Sequence, residues 1–216
     1  MKTLIIVDCQ YDFMPATEEG YAKEMGGALA VNDGDKIIPI INELLPQFEL
    51  IIFTKDWHPE DMEAFAGNHE GKAPFDTYIN KNGVEDILWP AHCVANTPGA
   101  RLHEDINFDL IKGDFYIFKK GLEKNYHPYS GFGGTDLAEF LRSRNVHQVF
   151  ICGLATDFCA KDTAIDSINE GFETFFIVNA TKPINTDMTE TIKELHLHKI
   201  KMIDSWQLPL TFLTEN

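Results

Sequence analysis

The sequence predicts an α/β fold, a doubly wound and mostly parallel six-stranded sheet with helices on both faces. Three observations predict it. Short β-rich runs recur along the chain, several of them apolar on successive residues. Runs with helical periodicity lie between them. Residues capable of chemistry stand just after the β-rich runs. Continuously apolar strands suit a sheet covered on both faces, and strand–helix alternation gives parallel order.

The elements follow in order. Residues 3–7 read as the first strand. After Asp33, the residues Ile37, Ile38, Ile41, Leu44 and Leu45 make one helical face. Residues 50–54 are the second strand and 116–118 the third. Leu137, Phe140 and Leu141, after Thr135, mark a second helix. Residues 147–152 form the fourth strand. Phe158, Ala164, Ile165 and Ile168 lie in a third helix closed by Gly171. Residues 174–178 are the fifth strand. Residues 186–197, carrying Met188, Ile192 and Leu195, form a fourth helix before the last strand at 201–203. The segment from residue 56 to about 112 breaks this rhythm with many Gly, Pro, Asn and His. It reads as an irregular insertion, and long irregular connections in compact domains are usually functional. Residues 1–216 read as one domain, long enough for a sizeable core. Gly131-Phe132-Gly133-Gly134 lacks the spacing of a dinucleotide-binding loop.

The net charge of −16 argues against nucleic acid or an anionic membrane surface as a partner. The apolar run at the amino terminus meets Asp8 too soon for a signal segment, and no run reaches transmembrane length. The four cysteines (Cys9, Cys93, Cys152 and Cys159) make no tight framework. A reducing, cytoplasmic setting is expected. The sequence is compatible with a homo-oligomer.

Ligands of open α/β sheets bind beyond the carboxyl ends of the strands. Four strand ends carry reactive groups there: Asp8 after the first, Asp56 and His58 after the second, Lys119 and Lys120 after the third, Cys159 after the fourth. Cys159 is expected about three residues inside a helix amino terminus. First-turn N–H groups and the helix dipole favour a thiolate there, so Cys159 is a candidate nucleophile. A buried cysteine packing a βα unit has the same local pattern. Asp56-Trp57-His58 offers a carboxylate and an imidazole two residues apart, and His92 offers a third ligand. Three N/O ligands with open positions suit catalytic Zn²⁺ or Fe²⁺. Glu63, His69 and Glu70 lie in the same irregular region and are secondary choices. His103, His127, His147, His196 and His198 read as surface or core histidines.

Longer motifs narrow this. Asp8-Cys9-Gln10-Tyr11-Asp12-Phe13 resembles the Asp-x-Gln-x-Asp-Phe opening of nicotinamidases, within the isochorismatase-like cysteine hydrolases. Gly26-Gly27-Ala28-Leu29-Ala30-Val31, Thr54-Lys55-Asp56-Trp57-His58-Pro59 and Trp89-Pro90-Ala91-His92-Cys93-Val94 resemble further motifs of that family. So do Lys120-Gly121, Tyr129-Ser130-Gly131-Phe132 and Gly153-Leu154-Ala155-Thr156-Asp157-Phe158-Cys159, all in family order across nearly the whole chain. The resemblance implies a triad of Asp8, Lys120 and Cys159, with Lys120 rather than Lys119 because the family's lysine precedes glycine. It implies an oxyanion hole from the N–H groups of Ala155 and Cys159, beside a cis Leu154–Ala155 peptide. It implies one divalent metal on Asp56, His58 and His92, with zinc first and iron or manganese as alternatives. Phe13 and Trp89 would clasp a pyridine ring, and the substrate would be the small amide nicotinamide. The chain departs from the pattern at Ala64, where many relatives carry His or Ser. Water, or a neighbouring acid such as Glu63, is then expected at that place on the metal. Rival readings are a superfamily amidase acting on N-carbamoyl or ureido substrates, an isochorismatase, and a non-catalytic metal-binding or interaction module.

Overall fold

Along the central strands, successive residues enter different cores. In β1 (Lys2–Val7), Leu4 and Ile6 belong to one buried cluster, Ile5 and Val7 to another. Neighbouring residues of a strand point to opposite faces, so a run apolar at every position needs cover on both. On the first face the cover is α1 (Ile38–Leu44), whose Ile38, Ile41 and Leu44 pack on that cluster. On the second it is α2 (Leu137–Ser143), α3 (Cys159–Asn169) and α4 (Thr189–Leu197), through Leu137, Leu141, Ala160, Ala164 and Leu195. The computed structural model describes residues 1–16 and 27–208. Gly26 of the glycine-rich motif lies outside them.

The main sheet adds β2 (Leu50–Asp56), β5 (Asp114–Lys120), β6 (Gln148–Leu154), β7 (Glu173–Lys182) and β8 (Lys201–Ile203) to β1. Its order is β5-β2-β1-β6-β7-β8, and every neighbouring pair is parallel. The chain therefore builds outward from β1 in one direction, then returns to β1's other side with β6. The order reverses between β1 and β6, and the crevice at that reversal is where an open sheet binds its ligand.

All six expected strands form. Four run past their expected ends, β6 to Leu154 and β7 to Lys182 among them, and Asp56 and Lys120 are the last residues of β2 and β5 instead of following them. They are register partners in the β2–β5 pair. Helix α3 begins at Cys159 itself, with Phe158 as its N-cap, so the cysteine stands at the helix start and not about three residues inside. The irregular insertion contains an unpredicted antiparallel hairpin, β3 (Thr77–Ile79) with β4 (Glu85–Ile87). Among the described residues, no helix is long and apolar enough to cross a membrane.

Gly153 ties the fold to the crevice. Its φ is +108°, and a Cβ there would come within 2.1 Å of the Val7 carbonyl oxygen. A side chain at such a φ costs about 1–3 kcal/mol before any clash. Gly153→Ala is therefore expected to destabilise the chain by more than about 2 kcal/mol in urea unfolding. An unchanged midpoint would show that β6 can retreat from β1 at no cost.

Candidate active site

Strand ends converge at the crevice, and the register aligns them. Lys120 Nζ donates to Asp56 Oδ1 at 2.5 Å and lies 3.0 Å from Asp8 Oδ2. It also donates to Cys159 Sγ at 3.5 Å and to the Pro128 carbonyl at 3.2 Å. Thr54 Oγ1 donates to Asp8 Oδ1 at 2.7 Å and accepts from the Asp8 N–H, fixing the carboxylate. All these groups are buried.

The two acids behave oppositely. Burial pushes the Asp8 carboxyl above its ordinary value, and Lys120 offsets this only in part. Burial acts on Asp56 too, but Lys120 and then His58 outweigh it and hold that carboxyl well below the usual range. Two carboxyls driven apart by their surroundings separate a proton carrier from a permanent anion. Burial opposes the charge on Lys120, yet Asp56 and Asp8 keep it firmly protonated. Burial also pushes the Cys159 thiol well above its ordinary value, with Lys120 pulling back in part. Burial therefore favours the thiol over the thiolate at Cys159, and any attack by this sulfur would need a neighbour to take its proton.

Asp56 also faces the imidazoles. Its Oδ2 lies 3.4 Å from His58 Nε2 and 3.9 Å from His92 Nε2. His58 Nδ1 pairs with the Gly121 carbonyl at 3.0 Å, and His92 Nδ1 with the Pro90 carbonyl at 2.8 Å. With each Nδ1 held by a carbonyl, each Nε2 is the ring atom that faces Asp56 in the crevice, the arrangement of metal-binding histidines. His58 Nε2 is buried and makes no hydrogen bond. Burial, reinforced by His58, lowers the His92 pKa to about 4, so its ring is neutral and able to ligate. The Asp56 carboxylate and the two imidazoles are the donor set of a divalent cation, which would satisfy the orphaned nitrogen. Gly121 makes room for this: its φ is +67°, and a Cβ would lie 2.3 Å from the His58 ring.

Beside the triad lies a small cavity. Phe13, Trp89, Tyr129 and Phe158 supply its aromatic walls, and Asp56, His92, His127, Ala155 and Cys159 also face it. Trp89 Nε1 donates to Tyr129 Oη at 3.0 Å, and the Trp89 and Phe158 rings meet edge to face at 5.1 Å. Phe13 sits 5.4 Å from the His92 ring. The Leu154–Ala155 peptide is cis, as the resemblance implied. Ala155 lies on the cavity wall with Cys159.

The sequence matches the isochorismatase domain over residues 2–203. A nicotinamidase of Acinetobacter baylyi is 40% identical over 188 residues, covering 84% of this chain and 81% of that protein. Among solved structures, the yeast nicotinamidase bound to the inhibitor nicotinaldehyde superposes with a TM-score of 0.84 at 32% identity, over 94% of this chain and all of the other. The zinc complex of the Pyrococcus horikoshii pyrazinamidase gives 0.73 at 38% identity, over 94% and 98% of the two chains. The chain belongs to the nicotinamidases of the isochorismatase family.

The structure also says what the nicotinamidase motifs do. In Asp8-Cys9-Gln10-Tyr11-Asp12-Phe13, the first acid enters the triad. Gln10 bonds both the N–H and the carbonyl of Asp56, at 2.8 and 2.7 Å, locking the ends of β1 and β2 together. Asp12 accepts the Cys93 N–H at 2.6 Å and so fixes the loop that carries His92. Asp157 accepts the N–H groups of Ile184 and Asn185, drawing Ile184 to the cavity wall. Lys119 turns away from the triad, with its Nζ 3.9 Å from the centre of the Trp57 ring.

Every expected site residue reaches this crevice, but the histidine reading needs one correction. His127 is not a mere surface or core histidine. Its ligand atom lies within 4.8 Å of those of His58 and His92. Glu63, His69 and Glu70 join neither cluster of potential ligands found among the described residues. A lone histidine in a loop has no spacing signature, which is why the sequence did not reveal it. Its one signal was its position two residues before Tyr129-Ser130-Gly131-Phe132. His147 and His196 are exposed and His103 is buried against Tyr11, as expected.

Proposed function

We propose that the chain hydrolyses nicotinamide to nicotinate and ammonia through a thioester on Cys159. The observation that carries this reading is the meeting of Asp8, Lys120 and Cys159 at the edge of an aromatic-walled cavity faced by imidazoles. Amides are poor electrophiles and need a strong nucleophile, an oxyanion site and a protonated leaving group. Sγ of Cys159 attacks the amide carbon as Asp8 takes the thiol proton. The N–H groups of Ala155 and Cys159 receive the developing oxyanion. Asp8 then passes its proton to the departing nitrogen, and ammonia leaves. In the second half, water attacks the thioester while Asp8 accepts its proton and returns it to sulfur. Lys120 keeps its charge throughout and balances the anionic partners around it.

Asp56, His58 and His92 would hold one divalent ion, zinc first by donor chemistry, with iron or manganese as alternatives. When bound, the ion supplies a Lewis-acidic position for the pyridine nitrogen, a templating role. Phe13 and Trp89 hold the ring from its faces.

The test is a comparison of kcat/KM for nicotinamide and benzamide, which share a shape but not the ring nitrogen. A site built around a polar contact rejects the analogue lacking it by up to about 10⁴-fold. A strong preference for nicotinamide that collapses after chelation is expected. Equal use of both amides by the metal-loaded enzyme would contradict recognition through the ring nitrogen.

A further inference from the structure

We propose that His127 is a fourth protein ligand of the metal, completing a site of three imidazoles and one carboxylate. This rests on the reading of Asp56, His58 and His92 as metal ligands. Four observations carry it. Nδ1 and Nε2 of His127 are both shielded from solvent, and neither has a hydrogen-bond partner, although the ring as a whole keeps a partly exposed edge. Leaving a buried polar atom unpaired costs about 1–3 kcal/mol, so a ring with both nitrogens orphaned calls for a ligand. The His127 ring centre lies 4.9 Å from that of His58 and 5.8 Å from that of His92. The orphaned Nε2 of His58 belongs to the same cluster, so two of the three rings share the same deficit.

The third observation is how the His127 loop is held. It runs from the end of β5 to Pro128, and site residues grip both its ends. The Gly121 carbonyl accepts from His58 Nδ1, and the Pro128 carbonyl accepts from Lys120 Nζ. The residues that make the triad and the metal site therefore also set the position of His127. A ring placed this way is preorganised for the ion.

The fourth concerns Ala64. Ala64 and His127 border one cavity, together with Met62 and Glu63. A methyl such as that of Ala64 cannot ligate an ion, whereas the His127 imidazole on the wall of the same cavity can. His127 thus takes the place that water or Glu63 was expected to fill. In this account the chain supplies its outer imidazole from the loop after β5 and not from the loop after β2.

Zinc K-edge X-ray absorption on the zinc-loaded full chain decides the matter, alongside competition titration with a chromogenic chelator. Three imidazoles are expected in the parent chain and two in His127→Ala. The dissociation constant for zinc should rise at least about tenfold in His127→Ala and in the size-conserving His127→Gln, since even an outer partner of a metal ligand is worth that much. Two imidazoles in the parent chain, with zinc affinity indifferent to both substitutions, would overturn His127 as a ligand and leave the metal site standing. Failure of the parent chain to take up zinc, iron or manganese would overturn both readings together. The imidazole count of the parent chain needs no variant, so a misfolded variant does not decide the outcome.

Discussion

Cys159→Ala is expected to remove nicotinamide turnover entirely while leaving the fold and the metal content intact. The substitution deletes the attacking sulfur and little else. Cys159 opens α3 and faces the cavity, whereas the ligand atoms of the imidazole cluster belong to other residues. Alanine at a first helical position is well tolerated. Alkylation distinguishes this thiol from the others. Cys9, Cys93 and Cys152 are fully buried, and burial pushes their thiols above the ordinary value. Cys159 is pushed up as well, but it alone borders the cavity and lies beside Lys120. A cavity-sized alkylating agent should therefore modify Cys159 first, with loss of activity matching loss of that thiol. Near-normal activity in the alanine variant would sink the covalent mechanism.

Asp8→Asn should cost at least about a hundredfold in kcat, the usual scale for removing a general acid–base group. Asparagine keeps the shape and can still accept from Thr54 Oγ1, so the strand end holds its position. It cannot take the thiol proton. The effect follows from the resting state of the site: because burial keeps the Cys159 thiol protonated, attack requires a base, and Asp8 is the carboxyl whose surroundings favour accepting a proton. Asp56 does not substitute for it, since Lys120 and His58 hold its carboxylate ionised. A loss of less than about tenfold would assign Asp8 to capping the strand end only.

The parts of this molecule legible in the sequence are those that physics repeats. Strands covered on both faces show as continuous apolar runs, so β1, β2 and β6 stood out. α1 showed its face through Ile38, Ile41 and Leu44. Convergence of Asp8, Asp56, Lys120 and Cys159 follows from parallel order, which aligns all the carboxyl ends. The misses have physical causes too. The β3–β4 hairpin has three residues per strand and none of them is fully buried, so no continuous apolar run marks it. The start of α3 lies later than expected because the turn through Ala155 to Phe158 uses residues that also look helical. His127 owes its place to hydrogen bonds made by Lys120 and His58 over a distance in sequence, and no local pattern encodes those.

Incubation of the metal-loaded chain with nicotinamide, assayed for both products and set beside an N-carbamoyl amide, tests the central claim most directly. The account predicts nicotinate and ammonia in equal amounts and negligible attack on the carbamoyl compound. Ammonia from the carbamoyl compound with none from nicotinamide would contradict it.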